Sequence, residues 1–150
     1  MGAVYFYHLT ESPLEQALPM LLGKARDVGW RVLVRGTDKT LLSRLDEVLW
    51  LGPEEGFTPH GLAGGPHDDL QPILLGDLPA DGFDCVMSVG GAQVLPEDIA
   101  ATERVCILFD GHDGDALAHA RDQWKTLTSA GCAAQYWAQE GGRWTKKAEK

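Results

Sequence analysis

Three residues late in the chain have types and spacing that suit binding chemistry: Arg121, Trp124 and Lys125, within DALAHARDQWKTLTSAG (115–131). Positions three and four apart share one flank of a helix. A guanidinium and an ammonium beside an indole form an apolar shelf with a positive rim. Such a shelf suits a short peptide that carries both carboxylates and an apolar side chain. The competing reading is that Trp124 closes the edge of a core and the two cations are solvated.

Catalytic and metal chemistry find less support. His60, His67, Asp68 and Asp69 lie in one Gly/Pro-rich stretch, but HxxxxxxHDD does not place ligands on one face of a regular element. No metal site is expected, and no cofactor. The segment His8-Leu9-Thr10-Glu11-Ser12-Pro13 follows an apolar run, where a phosphate-binding turn would sit. It has no glycine and carries a carboxylate. GxGxxG and GxxxxGK(S/T) are both absent, and Gly90-Gly91 is followed by Ala-Gln-Val-Leu-Pro. Ser12, Ser43, Ser88 and Ser129 lie outside any GxSxG elbow. His8 and His119 read as structural residues. Asp110, His112 and Asp113 follow an apolar run, so a small α/β enzyme with a phosphate or small-acid site there is the rival reading.

Charge narrows the partners. The chain carries 13 basic and 22 acidic residues, a formal net charge of −9. A body this acidic argues against broad direct contact with nucleic acid. The charge is uneven, however. Residues 121–150 hold Arg121, Lys125, Arg143, Lys146, Lys147 and Lys150 against Asp122, Glu140 and Glu149. The late basic segment is where an anionic partner would dock. Cys85, Cys106 and Cys132 are odd in number and widely spaced, and two lie in apolar runs; they read as small buried hydrophobes. No apolar run approaches the roughly 20 residues of a membrane span. MGAVYFYHLTESP lacks the pattern of a secretory leader, so the cytoplasm is the expected location.

The elements that must position these residues follow from pattern. A length of 150 residues fits a single domain, 1–150. AVYFYHL (3–9) reads as a first, central strand. Leu14, Leu18, Leu21, Leu22, Ala25 and Val28 predict a helix over roughly 13–28, capped by Ser12, with Pro19 implying a kink or a start near Ala17. RVLVRG (31–36) is a strand. A helix capped by Thr37 or Asp38 follows, with Leu41, Leu42, Leu45, Val48 and Leu49 at helical spacing. This strand–helix alternation predicts an α/β layer fold with parallel neighbours. Residues 51–69 read as a long irregular loop. Further strands are predicted at 72–76, 84–90 and 104–111, a short helix at 95–101, and a helix at 115–131 whose buried stripe is Ala116, Ala120, Leu127 and Ala130. The tail, with Gly141-Gly142, reads as an edge strand or hairpin. Trp50 and Phe57 are two large aromatics in or beside the long loop. They form either a plug on the core or a partner-binding patch.

Several stretches carry a family resemblance. RLDEVLWLGPEEGFTPHGLAG resembles the chi accessory subunit of bacterial DNA polymerase III, where a helix ending LDExLW precedes a proline and then FxPHxLAG. VYFYHL, RVLV, DKTLLSRLDE and ARDQWKTLTSAG occur in matching order. The resemblance implies a Rossmann-like three-layer α/β fold, with a central, mostly parallel sheet and helices on both faces. It implies a non-catalytic adaptor that binds the acidic C-terminal tail of single-stranded-DNA-binding protein and links it, through the psi subunit, to the clamp-loader complex. DNA would be met only indirectly, and no membrane is involved. Carried over by position, Arg121, Trp124 and Lys125 would bind the tail, while Trp50 and Phe57 would face psi or a substitute partner. Leu117 stands where some relatives have a basic residue, and Asp110 where some have an apolar pocket wall. Both departures should weaken binding of an anionic tail unless Lys146 or Lys147 compensates.

Overall fold

The computed structural model describes residues 2–50, 60–63 and 71–150, and only the backbone at Trp50 and His60. The first strand, β1 (Ala3–Leu9), alternates as a strand buried on both faces must. Val4 and Phe6 enter one core, and Tyr7 and Leu9 the other. The strand pairs in parallel with β6 (Arg104–Asp110) on one side and β7 (Ala133–Glu140) on the other, an interior position as predicted.

Helix α1 (Leu14–Asp27) buries Ala17, Leu18, Leu21, Leu22 and Ala25. Its cap differs from the expectation. Pro13 holds the N-cap position with no side-chain bond, and the Ser12 backbone N–H instead donates to Gln139 Oε1 at 3.0 Å. Pro19 lies inside the helix and does not delay its start to Ala17. One backbone donor is lost there. The buried leucines around it offset this, each contributing about 1.5–3 kcal/mol. Val28 falls outside the buried stripe, 63% exposed, and Gly29 takes the left-handed conformation (φ 83°) that closes the turn.

The strand β2 (Val32–Arg35) is wholly buried. Before α2 (Lys39–Trp50), Asp38 Oδ1 accepts from the backbone N–H groups of Thr40 and Leu41, so the cap is Asp38 and not Thr37. The predicted loop 51–69 needs correction: β3 (His60–Leu62) is a strand pairing in parallel with β4 (Ile73–Gly76). The remaining elements are β5 (Cys85–Ser88), α3 (Pro96–Ala101), α4 (Gly114–Ser129) and β8 (Arg143–Glu149).

The strands form one sheet in the order β3-β4-β2-β5-β6-β1-β7-β8, parallel except for the β7–β8 hairpin. One face packs Val34, Leu75, Met87 and Leu108 against α1 and α2. The other packs Phe6, Val86, Val105 and Ile107 against α3 and α4. The fold is therefore a three-layer α/β sandwich. A buried ion pair ties α3 to β2. Arg35, 6% exposed, contacts both Asp98 oxygens at 2.8 and 3.1 Å and donates to the carbonyls of Leu78 and Gln93. Burial alone would raise the Asp98 carboxyl, but the bonds from Arg35 and the Leu95 N–H, with the Arg35 charge, hold it below its ordinary value. Cys85 and Cys106 are buried as expected; the Cys106 contact and burial push the Cys85 thiol up.

Candidate functional site

Helix α4 begins where Asp113 Oδ1 accepts from the backbone N–H groups of Asp115 and Ala116, at 3.0 and 3.3 Å. The carboxylate also opposes the positive end of the helix. The buried stripe is Ala120, Gln123 and Leu127. The expected stripe is thus partly wrong: Ala130 is the exposed C-cap, Ala116 is half-buried, and Gln123 takes a core position. Gln123 is tolerated because its Oε1 accepts from the Val94 N–H at 3.0 Å.

At about 100° per residue, Trp124 lies roughly 40° from Ala120, with Leu117, Arg121, Thr128 and Lys125 further round the same flank. Trp124 is half-buried. Its ring meets Phe6 edge-on at 5.3 Å and Tyr136 at 6.0 Å. Tyr136 in turn stacks on Phe6 at 6.4 Å, with 14° between planes. The indole therefore has an aromatic backing and an open side. Arg121 and Lys125 are exposed, and among the described residues neither is within ion-pairing distance of a carboxylate. The structure thus brings Arg121, Trp124 and Lys125 together on one flank.

Sequence reasoning missed the wall behind this flank. The Tyr136 hydroxyl lies 3.0 Å from His8 Nδ1, and the His8 ring stacks on Phe109 at 5.1 Å. Burial lowers the His8 pKa, a bond to the Gly111 carbonyl opposes this, and the His112 and Arg121 charges lower it further. A neutral imidazole whose proton is on Nε2 would let Nδ1 accept from the tyrosine hydroxyl. Burial raises the Tyr136 hydroxyl while Arg121 pulls it down. Arg121 is therefore felt by both groups. Gly111 must be glycine, because an added Cβ would sit 2.3 Å from His8 Nε2. The alternation of β1 and β7 marks these residues in the sequence, but the β1–β7 pairing that joins them does not show there.

The rival location is real as a shape. A cleft of about 690 Å³ opens at the carboxyl ends of β1, β5 and β6, lined by Asp110, His112 and Asp113 among others. That is where open α/β sheets usually hold ligands. Several of its polar groups bond locally, whereas His119 Nε2 and Gln123 Nε2, also in its lining, have no partner among the described residues. Asp113 caps α4, and Asp110 Oδ1 accepts from the His112 N–H at 2.8 Å. His112 Nε2 lies 2.9 Å from the Thr10 carbonyl. Glu11 accepts from the N–H groups of Gly141 and Gly142 at 2.7 and 2.8 Å, and Glu15 pairs with Arg44 at 3.0 Å. Of the second predicted surface, Trp50 ends α2, while its side chain and Phe57 lie outside the described residues. His67, Asp68 and Asp69 lie outside them too. Among the described residues no helix is long and apolar enough to cross a membrane.

The chain is thus a three-layer α/β sandwich, a scaffold that hosts many unrelated functions, with a cation-and-indole flank on α4. The family model of the DNA polymerase III chi subunit, HolC, matches residues 1–135, and the chain belongs to that family of polymerase accessory subunits. DNA polymerase III subunit chi of Escherichia coli (strain K12) is 43% identical over 56 residues, which are 37% of this chain and 38% of that protein. The chain thus matches well under half of that relative's length. β8 lies wholly beyond the family-matched segment.

Proposed function

We propose that the chain, as one domain of residues 1–150, is a non-catalytic adaptor of the replicative polymerase. Its α4 flank binds the acidic C-terminal tail of single-stranded-DNA-binding protein. The tail's carboxylates meet Arg121 and Lys125, and its apolar end packs beside Trp124. A second surface that includes Trp50 and Phe57 joins psi, or a substitute partner, and so the clamp-loader complex. DNA is reached only through these partners, in the cytoplasm, and the mechanism needs no cofactor or metal.

One observation carries this reading: a guanidinium with no ion pair among the described residues stands beside a half-buried indole that is braced from behind by Phe6 and Tyr136. Bracing fixes the indole before a ligand arrives, which lowers the ordering cost of binding. The enzyme alternative draws on the strand-end cleft, and the local bonds of Asp110, His112, Asp113 and Glu11 weigh against it. A pulldown with the host's single-stranded-DNA-binding protein, intact or lacking its last residues, tests the adaptor. Retention of the intact form alone is expected, weakening with added salt because exposed ionic contacts are screened. Equal retention of both forms overturns the proposal.

A further inference from the structure

The α4 flank faces the β7–β8 hairpin, and the hairpin's register decides which side chains share that face. Tyr136, which touches Trp124, is on the α4 side of the sheet. Directly opposed residues of an antiparallel pair point to the same side. Ala138 pairs with Thr145, and Glu140 with Arg143, so Thr145 and Arg143 stand on the α4 face with Tyr136. Trp137 pairs with Lys146, which places Lys146 on the opposite face, where Trp144 packs on Tyr7 at 5.0 Å. Lys146 also bonds Glu149 there, at 3.4 Å, and Gln135 bonds the same carboxylate. The irregularity between Tyr136 and Trp137 inserts Lys147, whose ammonium pairs with Glu140 on the α4 face. Of the two lysines expected to compensate for Leu117, Lys146 points the wrong way and Lys147 does not.

We propose that the α4 face of the β7–β8 hairpin is the second wall of the binding groove, and that it takes the acidic stretch of an extended chain whose apolar end rests on Trp124. The inference builds on the proposed tail binding and adds where the upstream part of the tail runs. Charge complementarity selects the occupant. Arg143 is exposed and, among the described residues, makes no ion pair. With Arg121 and Lys125 across the groove, and Lys147 exchanging Glu140 for a ligand carboxylate, cations line both walls. Between them the Tyr136 and Trp124 rings form an apolar floor. A shortened relative of the ligand, holding only the apolar end, would touch α4 and leave the hairpin unvisited.

The test uses two fluorescent peptides, an oligo-aspartate run ending in phenylalanine and a short one with a single aspartate before that phenylalanine. Each is titrated against the full chain, Arg121→Ala, Arg143→Glu, and Arg143→Glu with Lys147→Glu, after thermal melts confirm that the variants are folded. Reversal at Arg143 should weaken the long peptide about three- to ten-fold, the range for one or two exposed charge contacts. The short peptide should change less than about two-fold. Arg121→Ala should weaken both. Unchanged binding of the long peptide to both hairpin variants, with the Arg121→Ala loss intact, overturns the second wall and leaves the tail-binding reading standing. No measurable binding of either peptide to the wild type overturns both. If the double variant melts early, Arg143→Glu alone decides.

Discussion

The strand-end cleft and the α4 flank lie on neighbouring parts of one sheet, yet they use polar side chains in opposite ways. In the cleft, Asp110, Asp113, Glu11 and Glu15 each answer a nearby N–H or cation. On the flank, Arg121 and Lys125 answer nothing among the described residues, and only the aromatic ring between them is braced. A polar group already bonded locally offers a ligand little. A free one beside a fixed apolar surface offers a charge-assisted contact at small ordering cost. At the usual ligand position of the fold these four carboxylates thus act as scaffold, whereas the helix flank carries two cations without an ion pair among the described residues.

That contrast can be broken by mutation, and one structural variant sets the scale. Arg35→Ala leaves the half-buried Asp98 without its cation, though still bonded to the Leu95 N–H, and should cost about 2–4 kcal/mol of stability. Chemical denaturation measures it. A loss below about 1 kcal/mol would mean that the pair is solvated and does not tie α3 to β2.

Arg121→Ala should do the reverse. It touches no buried group, so the melting temperature should hold while tail affinity falls by about 1.5–3 kcal/mol. Calorimetric titration with the tail peptide reads this directly, and equal affinities would remove Arg121 from the site. Asp113→Ala completes the comparison from the cleft side. Loss of the α4 cap should cost about 0.5–2 kcal/mol of stability. Tail affinity should stay level or rise slightly, because a negative charge leaves the helix proposed to bind the tail. A clear fall in affinity, with the fold intact, would show that the cleft takes part in binding after all.

Much of this division was legible in the residues. Helical spacing put Arg121, Trp124 and Lys125 on one flank, and the missing glycine fingerprint weakened the case for the cleft as a phosphate site. The local pattern could not show partners distant in sequence. Phe6 and Tyr136 meet only because β1 and β7 are parallel neighbours, which depends on α4 crossing over β1. Gln123 looked like a surface residue because its burial depends on the Val94 N–H, a group outside the helix. Lys146 and Lys147 looked equivalent until a one-residue irregularity in the hairpin sent them to different faces. His60–Leu62 looked like loop because glycine and proline surround it, but pairing with β4 makes it a strand.

The smallest effect concerns the wall behind the indole. The His8 Nδ1 lies 3.0 Å from the Tyr136 hydroxyl, and the His8 pKa lies below the ordinary imidazole value, chiefly through burial. The unfolded chain therefore takes up this proton more readily than the folded one. The contribution of His8 to stability is complete above its unfolded value, about 6.5, and is lost as pH falls through the lower folded value. His8→Gln, which cannot titrate, should remove that part of the slope. Melting curves between pH 7.5 and pH 5 should fall more steeply for the wild type than for the variant. Protonation would also force the tyrosine hydroxyl to turn from donor to acceptor toward Nδ1. Parallel melting slopes would mean that burial does not lower the His8 pKa in the folded chain.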